Sequence, residues 1–311
     1  MTLFATDHKQ LTTDPTMNTS FINRLSLAAL VAAMLFTATG CEDTPPDSYI
    51  PQYVLEGYML VDKPMAGIRL TRSQSVTDTF KFENGVVPNA DVKIIAGGNF
   101  YQLQYRGNNR SGEYFYPDTT ITVQPNTTYK IEVRTADGTM LTAQATTPSR
   151  IAWVNAPKPL LYYPTDTLTL PSPDSLKLRW TAAPGVVEYL ISVRCDDTLE
   201  YGKYLESSTS ERNRRIERSY EQHVPLYNDV SRWGFIPNTE VATVWSAFKW
   251  FGRNTVAVYA TDNTMSAWFK LTHFGANPTF DPLYSNVSGG LGVFAAASVI
   301  EAQSCVVKNQ P

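Results

Sequence analysis

Cys41 is the residue whose chemistry can be read most directly. It closes the run Arg24–Leu25 to Gly40–Cys41, RLSLAALVAAMLFTATGC, which holds one cation, an apolar stretch, small residues and a thiol. That layout is a secretory signal ending in a lipid-attachment cysteine. The apolar run Leu25–Ala38 is shorter than the roughly 20 residues of a membrane span. A lipobox usually carries Leu three residues before the cysteine; Ala38 stands there in this chain. An ordinary cleaved signal with a coincidental cysteine is the competing reading. Asp7 and Asp14 do not suit a basic leader, so Met17 is the expected start of the signal.

Other residues capable of chemistry are sparse. After removal of residues 1–41 the histidines are His223 and His273, and no HExxH, Cys-x-x-Cys or Gly-x-Ser-x-Gly spacing occurs. Asp196, Asp197, Glu200 and Glu206 cluster and could serve a glycoside hydrolase or hold calcium. Their spacing does not reproduce the twelve-residue calcium loop, and a solvated loop is the plainer account of them. Gly289-Gly290-Leu291-Gly292 could cradle a phosphate if it opened a helix. It runs instead into GVFAAASV, which reads as strand, so a tight turn or close backbone approach is expected there. The formal net charge of −3 gives no basic surface for nucleic acid. The expectation is therefore a protein without catalysis, cofactor or metal.

Binding has more to draw on. Between Asp196 and Phe251 lie Tyr201, Tyr204, Tyr220, Tyr227, Trp233, Phe235, Trp245, Phe248, Trp250 and Phe251. Exposed rings beside polar groups suit stacking on sugars or a protein interface. The run Trp245–Phe251 is expected to be mostly core, alternating as a strand. Arg212, Arg214, Arg215 and Arg218 sit in Ser208–His223, the one stretch with helical leanings, and could grip an anionic sugar or carboxylates. A charge-balanced loop is the plainer account. The candidate binding set is Tyr201, Tyr204, Arg214, Arg215, Tyr227 and Trp233. With Cys41 acylated, Cys195 and Cys305 remain, and an oxidising compartment invites a disulfide between them; two separate thiols are the alternative.

These residues must be positioned by strands. From Tyr53 onward period-two alternation dominates. The predicted strands are Val54–Val61, Gly67–Ser73, Ala90–Ala96, Asn99–Tyr105, Gly112–Tyr116, Tyr129–Thr135 and Thr139–Thr146. Asp137-Gly138 reads as a type I′ hairpin turn. Residues 42–52, EDTPPDSYIPQ, form an acidic, proline-rich tether, 53–148 a first β-sandwich, and 149–311 a second β domain with an insertion at 196–251.

In the second domain Leu176, Leu178 and Trp180 alternate, Pro184-Gly185 turns, and Tyr189, Ile191 and Val193 alternate again. This resembles the early strands of fibronectin type III domains, and Thr255–Asp262 with Ser266-Ala267-Trp268 resembles the late ones. The expected class is all-β: two tandem sandwiches, Ig-like and then fibronectin type III-like. Asp118-Thr119-Thr120, Asp166-Thr167-Leu168, Asp174-Ser175-Leu176 and Asp197-Thr198-Leu199 resemble O-glycosylation acceptors of Bacteroidetes secreted proteins.

VLEGYML at Val54–Leu60, GIRLTRS at Gly67–Ser73 and YSNVSGGLGVFAAASV at Tyr284–Val299 carry a broader likeness. With the lipobox they make the mature chain resemble the domain of unknown function 4249 family of Bacteroidetes-type lipoproteins. Asn286, Gly289, Gly290, Gly292, Val293 and Phe294 fit the family's ending, and Ala295 stands where Gly is common. Glu42-Asp43 after the cysteine resembles the export cue of such surface lipoproteins; a solvated linker with no sorting role is the equal alternative. The resemblance implies an outer-membrane lipoprotein, facing periplasm or cell surface, that accompanies a TonB-dependent transporter. A surface glycan-binding protein is the second expectation and a glycoside hydrolase the third.

Overall fold

The structure is a computed structural model describing residues 49–75, 79, 81–108, 111–163, 176–196, 230–274 and 285–308. It is all-β, as the alternation implied. The first half holds β1 (Tyr53–Leu60), β2 (Arg69–Arg72), β3 (Asp91–Ala96), β4 (Asn99–Gln102), β5 (Gln104–Asn108), β6 (Ser111–Phe115), β7 (Thr128–Arg134) and β8 (Met140–Thr146). The second half adds β9 (Trp153–Asn155), β10 (Leu160–Tyr163), β11 (Leu178–Trp180), β12 (Tyr189–Cys195), β13 (Val230–Ile236) and β14 (Glu240–Val241). Then come β15 (Gly252–Thr261), helix α1 (Asn263–Phe269) and the 18-residue β16 (Leu291–Lys308).

One seven-stranded sheet runs through both halves in the order β13-β12-β15-β16-β1-β2, with β10 also paired to β16. The sheet β4-β3-β7-β8 faces its first half, and the sheet β14-β11-β9 its second. Each half has its own core. Leu55, Met59, Ile94, Ile131 and Leu141 belong to the first, with Phe294 and Ala296 of β16. Trp180, Tyr189, Ile191, Val258 and Phe248 belong to the second, with Val306 of β16. The ladder therefore crosses the division at 148: β1 pairs in parallel with β16 over seven register positions, Val54 opposite Leu291 to Leu60 opposite Ala297. Behind the large sheet, Met265 of α1 packs on Val293, Ala295 and Ala297, flanked by Tyr58, Tyr259 and Trp268.

Three local expectations change. The Asp137-Gly138 turn is not type I′. Of the two residues only Gly138 has positive φ, at 89°. Gly138 donates to the Thr135 carbonyl and Thr135 to the Thr139 carbonyl, the wider hairpin with glycine in the bulge position. Ser266-Ala267-Trp268 is helix, because the Asp262 side chain accepts the Met265 N–H and starts α1. Trp245–Ala247 is a turn of 3₁₀ helix, not strand; Trp245, Phe248 and Trp250 are nonetheless buried.

Candidate functional site

Most of the expected binding set falls outside the described residues: Tyr201, Tyr204, Arg214, Arg215 and Tyr227, and Cys41 as well. Trp233 lies on β13, its side chain likewise outside. Of the carboxylate cluster, Asp196 is described. It accepts the Arg194 guanidinium of β12 at 2.9 Å and the Thr255 hydroxyl of β15, the second tie closing the end of β12 against β15. Asp197, Glu200, Glu206 and His223 lie outside. Among the described residues no three His, Cys, Asp or Glu side chains converge on a common point. Asp118 accepts the Thr120 N–H and hydroxyl in a local turn; the other three acceptor-like triplets each include undescribed residues.

Cys195 and Cys305 do not meet. Cys195 pairs with Asn254 and Cys305 with Arg253, so β15 stands between them. Two strand spacings are roughly 9–10 Å, beyond the roughly 7 Å over which Cα atoms can be bridged. Arg253 and Asn254 are also consecutive, so the two thiols project to opposite faces of the sheet. The expected disulfide is corrected to two separate cysteines. Denatured protein should take up alkylating reagent at both positions without prior reduction, read by mass; uptake only after reduction would restore the bridge.

The geometry instead builds a site at the end of the first sandwich where β1 begins. A recess of about 500 Å³ is lined by Pro51, Gln52, Tyr53, Arg72, Asp137 and Thr139, and floored by Gly289-Gly290-Leu291. Register puts these together: Tyr53 opposes Arg72 across β1–β2, and Val54 opposes Leu291 across β1–β16. The Arg72 guanidinium lies 4.6 Å from the centre of the Tyr53 ring, donates to the Tyr53 hydroxyl, and reaches Asp137 Oδ2 at 2.9 Å. Tyr53 donates its own proton to Asp137 at 2.6 Å.

Asp137 also accepts the Thr135 hydroxyl and, at 3.1 Å, the Thr139 N–H. Those bonds hold its carboxyl well below the usual range, the Thr135 hydroxyl first and Tyr53 second. Arg72 and Asp137 cancel, leaving a neutral recess of fixed donors and acceptors. Asp137 is the one carboxylate among the described lining residues, so the arrangement supplies hydrogen bonds and no acid–base pair.

A second recess, about 440 Å³, is lined by Glu188, Asn263, Ser266 and Lys270. Lys270 is occupied there, 2.6 Å from Glu188 and 5.0 Å from the Phe235 ring centre.

Sequence alone does not reveal the first recess, because its walls come from four separated segments with no shared motif. The glycine run does behave as expected. Added Cβ atoms would lie 2.0 Å from the Met140 carbonyl oxygen at Gly289 and 1.9 Å from the Leu55 carbonyl oxygen at Gly292. The run threads a main chain between two others and opens a strand, not a helix.

No curated protein matches the chain. A family described as a domain of unknown function, DUF4249, matches residues 42–303. With the glycine threading and the β1–β16 pairing placed inside that span, the chain belongs to the DUF4249 family.

Proposed function

We propose that the protein is acylated on Cys41 and works at the outer membrane or cell surface as a binding module without catalysis, beside a TonB-dependent transporter. The observation that carries this reading is where the shared region begins. The family match starts at residue 42, immediately after Cys41, and the first strand starts at Tyr53. The intervening Glu42–Gln52 has the composition of a tether, and at most about 3.3–3.6 Å per residue it can lift the sandwich some 35–40 Å. Two or three acyl chains, at about 0.8 kcal/mol per buried methylene, hold firmly where one does not. No helix among the described residues is long and apolar enough to cross a membrane.

Labelled palmitate should enter the wild-type chain and not Cys41→Ala, and only the wild type should sediment with membranes. Wild-type protein that takes up no label would sink the anchor. Mild-detergent capture should bring down a transporter. A second reading, glycan binding, is favoured by the neutral donor–acceptor recess at Tyr53, Arg72 and Asp137. Retention on polysaccharide columns with no transporter captured would replace the first reading by this one.

A further inference from the structure

The strand that leaves the tether is not at an edge. β1 lies inside the large sheet, antiparallel to β2 over four register positions and parallel to β16 over seven. Val61 extends the second ladder, its N–H 2.9 Å from the Ala297 carbonyl. Because β1 and β16 are parallel, the start of β1 and the end of β16 point in opposite directions along one axis. Tension between those two ends slides the strands past each other and loads every rung at once, whereas tension across a hairpin opens rungs one by one. β16 then carries on past β1, antiparallel to β15 over ten register positions, into the second core.

We propose that β1 and β16 form a shear clamp that transmits load from the N-terminal tether to the second half of the molecule. The proposal rests on the anchored reading for the origin of the load, and its geometry stands apart from that reading. A tether pulled while the second half is held by a partner would load this pair in line. The side chains reinforce the ladder. Leu55 and Met59 of β1 are fully buried. Gly57 lies against the Phe294 ring so closely that an added Cβ would be 3.1 Å from it. At the tether end, Arg72 and Asp137 grip the Tyr53 hydroxyl, so the first residue of the strand is held by side chains as well as by the ladder. At the other end Arg150 holds Asp62 through two bonds of 2.8 Å, fastening the chain just beyond β1.

Optical-tweezer pulling tests the clamp in two geometries at one loading rate. The chain held through peptide tags at its two ends shears β1 against β16. The chain held through Gln52→Cys and Ser73→Cys, with its own three cysteines changed to serine, peels β1 from β2, since Tyr53 opposes Arg72. Matching thermal melts of the two proteins establish that both are folded before pulling. The expected result is a severalfold higher rupture force end to end than across residues 52 and 73. Equal or lower force end to end overturns the clamp. Palmitate labelling decides the anchor separately: high shear force in a chain that takes up no palmitate leaves the clamp standing and removes the anchored reading.

Discussion

Gly292→Ala should abolish cooperative folding or cost about 4 kcal/mol or more, the range reserved for a few severe mechanisms. Two of them coincide. Gly292 has φ 118°, a region L side chains rarely adopt. Its Cβ would also sit 1.9 Å from the Leu55 carbonyl oxygen and 2.8 Å from the carbonyl carbon. Those atoms are main chain of β1, so no rotamer change makes room. To accept the methyl, β16 must move off β1, and Phe294 two residues later leaves the first core.

The damage then spreads along the open edge of β16. β15 reaches back only to Ala297, so among the described residues no strand pairs with 291–296 on that side. Asn286 substitutes for one, its Oδ1 accepting the Phe294 N–H at 2.9 Å while its Nδ2 donates to the Phe294 carbonyl at 2.7 Å. Displacing Phe294 breaks both bonds. Gly97→Ala is the matched control: φ is 56° and an added Cβ meets nothing within 4 Å. It should cost only about 1 kcal/mol of backbone strain. Urea denaturation followed by tryptophan fluorescence reads both. A Gly292→Ala midpoint as close to wild type as that of Gly97→Ala would mean the close approach relaxes at little cost.

These contacts also explain what the sequence could and could not show. β3, β7 and β8 were legible because each pairs with a neighbour in the chain and alternates cleanly, as in Val92, Ile94, Ala96 or Tyr129, Ile131, Val133. The β1–β16 ladder joins residues more than 230 positions apart, and a single sequence carries no record of such pairing. β1 packs on both faces, Leu55 and Met59 in the first core and Tyr58 and Leu60 against the α1 layer, and its alternation alone does not say which layer covers each face. The recess was illegible for a related reason. Asp137-Gly138 announces a turn; nothing local says that its carboxylate meets Tyr53 and Arg72. The glycine run was legible as a tight passage because its composition permits little else.

Asp262→Ala should destabilise the protein by about 3 kcal/mol, the sum expected for a lost helix cap, which strands the Met265 N–H, and for the stranded Ala296 N–H. Asp262 joins three elements. It ends β15, its Oδ1 accepts the Met265 N–H at 2.7 Å to start α1, and its Oδ2 accepts the Ala296 N–H at 2.9 Å. Its own N–H donates to the Ala296 carbonyl at 2.9 Å, so with Asn286 it completes the edge that β15 leaves open. Burial raises its carboxyl to about 6, outweighing the two N–H donors that favour the anion.

A folded pKa above the unfolded value of 3.8 means the folded state binds the extra proton. The associated stability is complete below pH 4 and is lost as pH rises through about 6, an effect of roughly 3 kcal/mol at most. Exposed carboxylates held low, such as Asp62 beside Arg150, act in the opposite sense, so the wild-type profile alone does not isolate it. Asp262→Asn removes the titration and keeps one acceptor. Its penalty relative to wild type should be larger at pH 4.5 than at pH 7.5, measured by urea denaturation at each pH. A penalty that grows with pH would mean the two N–H bonds to the carboxylate outweigh its burial.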